Sequence, residues 1–255
     1  GDLGDLRGGN IDYKLSSTRH FGEASAGTWT LQVTDAAGGA VGTLNNWTLR
    51  LYGKEASSDH TYIYTNEYAT LGTGSRAILN DSDGGVDTIN AAAVDGDSTV
   101  DLAGGSSTLA GQSLNVTTDT IENVYTGDGD DVITGNTSDN LLSGGRGNDT
   151  INAGAGQDIL QAGRGNDTLT GGADKDFFVI EKSANDTDTI TDFDPIVSSE
   201  TIILSGFDSN YSFSDLVIIQ EGADTRITLP DGQSILLNNV TSTDLTNSHF
   251  KFVDR

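Results

Sequence analysis

Residues 126–179 read TGDGDDVIT, GNTSDNLLS, GGRGNDTIN, AGAGQDILQ, AGRGNDTLT and GGADKDFFV, six nine-residue units with no remainder. The units start at Thr126, Gly135, Gly144, Ala153, Ala162 and Gly171. The eighth residue is always apolar: Ile133, Leu142, Ile151, Leu160, Leu169 and Phe178. The sixth is Asp131, Asn140, Asp149, Asp158, Asp167 and Asp176 in turn. Each unit reads as a six-residue turn followed by a three-residue strand. Side chains alternate along a strand, so the eighth residue points inward and the seventh and ninth point out. Two units make one coil of 18 residues. A single coil cannot bury its own apolar residues, whereas three stacked coils share a core. A disordered linker of similar composition has no reason to hold this phase through six units.

The turns carry the chemistry. Glycine permits positive φ and close backbone approach, so carbonyl oxygens converge. A hard cation such as Ca²⁺ takes about six to eight oxygen ligands, more than one turn supplies. Alternate units share an edge of the roll, which stacks Asp131, Asp149 and Asp167 on one edge. Asn140, Asp158 and Asp176 stack on the other. Pairing facing turns predicts two sandwiched sites per edge, four in all. The expected ligands are the column aspartates with the turn backbone at Gly127, Gly129, Gly144, Gly145, Gly147, Gly154, Gly156, Gly163, Gly165, Gly171 and Gly172. The site that uses Asn140 is expected to be weakest, since an amide replaces a carboxylate and Ser138 replaces the fourth-position glycine. Without cations the stacked carboxylates repel in a low-dielectric setting.

Outside the repeats, Asp81, Asp83 and Asp87 form either an additional Ca²⁺ site or a polar turn. Asp186, Asp188, Asp192 and Asp194 close the last turn around a final cation, with Asp188 and Asp192 the favoured ligands, or Asp192 and Asp194 instead cap a turn before Pro195. Thr225–Leu229 and Ser234–Leu237 flank Pro230–Gln233 as a hairpin. Near the start, Trp29, Leu31 and Val33 alternate with polar residues, as do Trp47, Leu49 and Leu51. These two amphipathic strands predict an antiparallel sandwich. The polar residues 54–61 read as a linker.

Charge is uneven. Residues 1–55 hold 6 acidic and 5 basic residues, leaving 32 acidic and 8 basic for the rest. The charge therefore disfavours a nucleic-acid partner or an anionic membrane surface, and multivalent cations are the natural counter-charge. No apolar stretch is long enough to span a bilayer. There is no Cys, so in a secreted chain metal rather than disulfides would supply the staples. The chain starts at Gly1 and has no Met, which suggests a piece of a longer precursor. It is expected to be monomeric.

Several of these segments resemble known families. The nonapeptides are similar to the calcium-loaded parallel β-roll repeats of RTX proteins. Tyr62-Ile63-Tyr64, Gly84-Gly85-Val86-Asp87-Thr88-Ile89, Thr120-Ile121-Glu122-Asn123-Val124, Ala173–Val179 and Asp188–Asp194 resemble the C-terminal domain of serralysin-type secreted proteases over residues 62–207. His20-Phe21-Gly22-Glu23, Gly27–Leu31, Val33-Thr34-Asp35 and Gly42–Leu49 resemble the second half of a P domain, the jelly-roll module of kexin-like subtilisin-family proteins, over residues 1–53. Asp244–Arg255, within a C-terminal β segment 208–255, resembles a type I secretion signal. The resemblances imply an all-β chain. A partial jelly-roll sandwich precedes a Ca²⁺-binding parallel β-roll flanked by β-sandwich elements. They also imply a secreted, extracellular protein that meets the type I secretion machinery.

No catalytic site is legible. There is no HExxH and no subtilisin or GxSxG serine motif, and His20, His60 and His249 look isolated. The expected role is that of a non-catalytic, calcium-binding C-terminal region of a secreted subtilisin/kexin-like serine protease. The alternative is the calcium-binding export module of a bacterial adhesin or surface-layer protein.

Overall fold

The computed structural model describes residues 58–71, 77–117, 120–183, 185–196, 200–207 and 210–254. They lie within the compact unit Ser57–Arg255. The expected half sandwich at residues 1–53, with His20, lies outside the described residues. In chain order the strands are β1 Thr61–Thr65, β2 Ile78–Leu79, β3 Thr88–Ala93, β4 Thr99–Asp101, β5 Ser106–Leu109, β6 Gln112–Val116 and β7 Asn123–Tyr125. The repeats supply β8 Val132–Thr134, β9 Leu141–Arg146, β10 Thr150–Ala155, β11 Ile159–Arg164, β12 Thr168–Ala173 and β13 Phe177–Glu181. Then follow β14 Thr187–Ile190, β15 Thr201–Ser205, β16 Val217–Glu221, β17 Asp224–Thr228, β18 Ser234–Leu237 and β19 Phe250–Val253.

Successive repeat strands alternate between two sheets. One runs β1-β3-β7-β9-β11-β13-β15-β19, parallel throughout. The other runs β16-β17-β18-β14-β12-β10-β8-β4-β5-β6-β2, with a parallel centre from β18 to β4. The 18-residue coil shows directly in the register: Ile133 pairs with Ile151 and Ile151 with Leu169, while Leu142 pairs with Leu160 and Leu160 with Phe178. All six eighth-position side chains are fully buried, and each contributes about 1.5–3 kcal/mol of apolar burial.

The roll does not stop where the nonapeptides stop. On the first sheet the inward ladder continues as Tyr62, Ile89 and Val124 above Leu142, and as Ile202 and Phe250 below Phe178. On the second it continues as Val100 above Ile133 and as Ile190 and Leu237 below Leu169. Insertions interrupt the phase without breaking the stack. The hairpin β5–β6 leaves the roll through a tight turn at Ala110 and Gly111, both at positive φ, the conformation that two-residue hairpins favour. The hairpin expected around Pro230–Gln233 forms between β17 and β18. The stretch read as a linker contributes Thr61 to β1. Among the described residues, no helix is long and apolar enough to cross a membrane.

Candidate metal centre

Each column aspartate uses one carboxylate oxygen to hold the coil before it. On the first edge, Oδ1 of Asp131 accepts the Ser98 N–H (2.6 Å) and Oδ1 of Asp149 accepts the Asp131 N–H (2.8 Å). Oδ1 of Asp167 accepts the Asp149 N–H (2.8 Å), and Oδ1 of Asp188 accepts the Asp167 N–H (3.1 Å). On the second edge, Asp158 accepts from Asn140 (2.7 Å) and Asp176 from Asp158 (2.9 Å).

The other oxygen is left over. Oδ2 of Asp131, Asp149, Asp158, Asp167 and Asp176 is buried and has no hydrogen-bond partner. A buried unpaired carboxylate oxygen is costly, and five repeat at the same place in the turn. Burial raises these carboxyls well above the usual carboxylate range. Asp131 and Asp176 reach about 6, Asp149 and Asp158 about 7, and Asp167 about 8. Neighbouring carboxylates add to the rise and backbone N–H donors oppose it. Asp188 is raised to about 6, again by burial. A bound divalent cation would satisfy the orphaned oxygens and remove the repulsion along each column.

Glycine is required for the turns to stack. At the fourth position, Gly147 has φ +127° and Gly165 has φ +125°. A Cβ on either would fall on the carbonyl oxygen of the turn stacked above, that of Gly129 or Gly147. At the second position, Gly145, Gly154, Gly163 and Gly172 meet the carbonyls of Gly127, Asn136, Gly145 and Gly154 in the same way. Gly156 meets the Ser138 carbonyl, and Gly129 packs against the backbone of Gly96 and Asp97. First-position Gly144 and Gly171 make room for Oδ2 of Asp149 and Asp176 within their own turns. The oxygens these turns could offer a cation are carboxylate and backbone carbonyl, the kinds that a hard cation such as Ca²⁺ prefers.

Asn140 behaves differently. Its Nδ2 donates to the Glu122 carbonyl (2.9 Å) and to Asn136 Oδ1 (3.1 Å), and its Oδ1 accepts the Asn136 N–H (2.9 Å). This amide leaves no orphaned oxygen. Asp188 extends the first column, but Gln233 closes it. Gln233 Nε2 donates to Asp188 Oδ2 (3.3 Å) and to the Glu181 carbonyl (3.1 Å). Asp192 receives two backbone bonds, from Gly171 N–H (3.0 Å) and Gly172 N–H (2.8 Å), so it clamps the last repeat turn.

The second column also extends upward, with Asp87 N–H donating to Glu122 Oε2 (2.7 Å) and His60 N–H donating to Asp87 Oδ1 (2.6 Å). Below, Thr201 N–H donates to the Asp176 carbonyl, which sets the buried Glu200 in the next layer. Sequence reading missed Glu122, Glu200 and Gln233 because none is the aspartate of a glycine-rich turn. It also read His60 as isolated, whereas His60 lies against Asp81, Asp83 and Asp87. The usable signal was the spacing of His60 to Tyr62, which is that of the sixth and eighth positions of a unit. His249 is a structural residue: Nδ1 accepts the Thr246 N–H (3.0 Å) and the ring packs edge-on against Phe193.

Parts of this chain are similar to known proteins. The RTX calcium-binding nonapeptide repeat family model matches residues 125–160 and 153–179. The proprotein convertase P-domain model matches residues 3–51. Among solved structures, the chain is similar to the R3 and R2 subunits of the Azotobacter vinelandii mannuronan C5-epimerase AlgE6, each at 24% identity over 48% of this chain. The matches cover 77% and 88% of those chains, with TM-scores of 0.36 and 0.37. No curated protein sequence matches the chain. The roll at its centre, residues 125–179, is thus made of RTX repeats, which bind calcium ions, and the chain carries P-domain sequence ahead of it.

Proposed function

We propose that this chain is the calcium-operated, non-catalytic C-terminal region of a secreted subtilisin/kexin-like serine protease. In this reading the roll is unfolded where Ca²⁺ is scarce, passes the type I secretion machinery unfolded, and folds outside the cell where Ca²⁺ is plentiful. The five orphaned buried Oδ2 atoms carry the calcium half of the reading. They make the folded, metal-free roll electrostatically unfavourable at neutral pH. A ligand at 100 times its dissociation constant stabilises by about 2.7 kcal/mol per site. Three such sites, the Asn140 rung left out, give about 8 kcal/mol, comparable with the whole stability of a domain, so binding and folding become one equilibrium. The P-domain match at residues 3–51 supports the protease half.

Far-UV circular dichroism of the EDTA-stripped chain, followed during Ca²⁺ addition, tests the folding claim. A cooperative gain of β signal with little response to Mg²⁺ is expected. A spectrum already complete in EDTA would overturn the switch. For the parent, the natural sequence preceding Gly1 should carry subtilisin-type Asp, His and Ser motifs, and tandem sandwich repeats there would overturn that part.

A further inference from the structure

The outermost layer of the second column departs from the all-oxygen pattern below it. His60 takes the column position: its N–H donates to Asp87 Oδ1 and its carbonyl accepts the Thr88 N–H (2.9 Å). Asp131 makes the same two bonds, to Asp149 Oδ1 and from Thr150 N–H. The turns stack alike as well. The Ser58 carbonyl sits where a Cβ on Gly85 (φ +126°) would fall, as the Gly129 carbonyl does for Gly147. The segments at 58–60 and 81–87 are therefore a facing pair of the kind the repeats use, with an imidazole in place of one carboxylate.

Three carboxylates surround that imidazole. His60 Nδ1 lies 3.1 Å from Asp81 Oδ2, 3.5 Å from Asp87 Oδ1 and 3.6 Å from Asp83 Oδ1. Asp81 and Asp87 are 4% and 1% exposed, whereas the His60 side chain is 42% exposed and leaves an approach from solvent. A cavity of about 250 Å³ lined by Asp81, Asp87, Gly84, Gly85 and Glu122 adjoins them. The Tyr62 hydroxyl donates to Asp81 Oδ2. That bond fixes the carboxylate and, as the largest influence, holds its carboxyl below the usual range.

We propose that His60, Asp81 and Asp87 form a mixed nitrogen–oxygen site for a divalent transition metal of the Zn²⁺ class, separate from the calcium positions of the repeats. Their ligand atoms all lie within 4.8 Å of one another. Tetrahedral ligands at about 2.0–2.1 Å from Zn²⁺ stand roughly 3.4 Å apart, within the span of the distances around Nδ1. Imidazole suits Zn²⁺, Ni²⁺ or Cu²⁺, whereas Ca²⁺ selects oxygen. The Tyr62 hydroxyl plays the outer-shell role that orients metal-binding carboxylates.

The test is Co²⁺ titration of the whole 255-residue chain in saturating Ca²⁺, which fills the oxygen sites. One equivalent of Co²⁺ should bind with visible d–d absorption and be displaced by Zn²⁺. The absorption should disappear in His60→Ala and in Asp87→Asn, and persist in His249→Ala. His60→Asp should abolish the cobalt spectrum and add one Ca²⁺ per chain. Circular dichroism in Ca²⁺ should be unchanged in His60→Ala, which separates site loss from misfolding. No d–d bands in the wild-type chain, or bands that survive His60→Ala, would overturn the proposal and leave His60 as a hydrogen-bonding neighbour of the carboxylates.

Discussion

The strict repeats at 126–179 and the coils above and below them share one fold and one core, yet they are held by different chemistry. Within the repeats every layer adds an aspartate whose Oδ1 ties the previous coil and whose Oδ2 has no partner, except at Asn140. In the outer layers the same column position is filled by Ser98, His60, Asp87, Glu122, Asp188 or Glu200, and none of their side-chain atoms is a buried orphan. The first column ends on Gln233, an amide that satisfies Asp188 Oδ2 with an N–H. The apolar ladder builds the roll throughout, and its centre carries the run of orphaned carboxylate oxygens.

The largest test of that contrast removes charge from the centre. In Asp149→Ala plus Asp167→Ala, two coil-tying Oδ1 acceptors and two orphaned oxygens disappear together. Cooperative Ca²⁺-dependent folding should be lost, as read by circular dichroism. Glu200→Gln, in an outer layer, should leave the Ca²⁺ midpoint nearly unchanged. Equal effects from the two changes would erase the distinction between centre and ends.

The next test concerns backbone. Gly147→Ala places a Cβ on the Gly129 carbonyl at φ +127°, combining left-handed strain with overpacking, and should cost about 3 kcal/mol or more. Gly222→Ala has φ +68° and open space around it, so it should cost about 1–2 kcal/mol. Urea unfolding in saturating Ca²⁺ measures both. A Gly147→Ala variant as stable as Gly222→Ala would mean the turns relax apart.

What could be read from the sequence follows the same division. Phase, burial and edge assignment of 126–179 were legible because each unit repeats a glycine turn and an inward residue at fixed spacing. The outer coils were not, because insertions break the spacing. The step from Asp149 to Asp167 is 18 residues, but the step from Asp167 to its stacked Asp188 is 21. His60 to Asp87 is 27 and Asp87 to Glu122 is 35. Periodicity sees a repeat only while the loops between layers keep one length, whereas parallel pairing tolerates any length that returns the strand to register. For the same reason the carboxylates at 81–87 were legible as a cluster, while the histidine facing them read as linker.

Acidity offers a milder perturbation of the centre. The folded-state values of Asp131, Asp149, Asp158, Asp167 and Asp176 lie at about 6 to 8, above the ordinary 3.8. A raised carboxyl binds protons more tightly when folded. Its stabilisation is full below about pH 4 and is lost as pH rises through about 6 to 8. In EDTA, the β signal should therefore grow as pH falls from 8 to 5, while the Ca²⁺ affinity of the folded roll should weaken as protons compete for the same carboxylates. Asp149→Asn plus Asp167→Asn should flatten the profile. A metal-free chain that unfolds toward acid would show that the column carboxylates stay ionised and solvated.

The smallest expected effect is the sharpest, because it repairs the one rung where the centre resembles the ends. Asn140→Asp extends the line of carboxylates above Asp158 and removes the amide donors to the Glu122 carbonyl and Asn136 Oδ1. At limiting Ca²⁺ the folded variant should lose about 1–3 kcal/mol, read as a raised Ca²⁺ midpoint, the cost of leaving buried acceptors unpaired. In Ca²⁺ it should recover that loss and bind one more ion per chain, counted by calorimetric titration. The gain requires that the amide now occupies the place of a cation, self-satisfied and neutral. An unchanged ion count would instead mean that carbonyl oxygens of the 135–140 turn already hold Ca²⁺ without help from the sixth residue. The orphaned Oδ2 would then cease to mark where a cation binds.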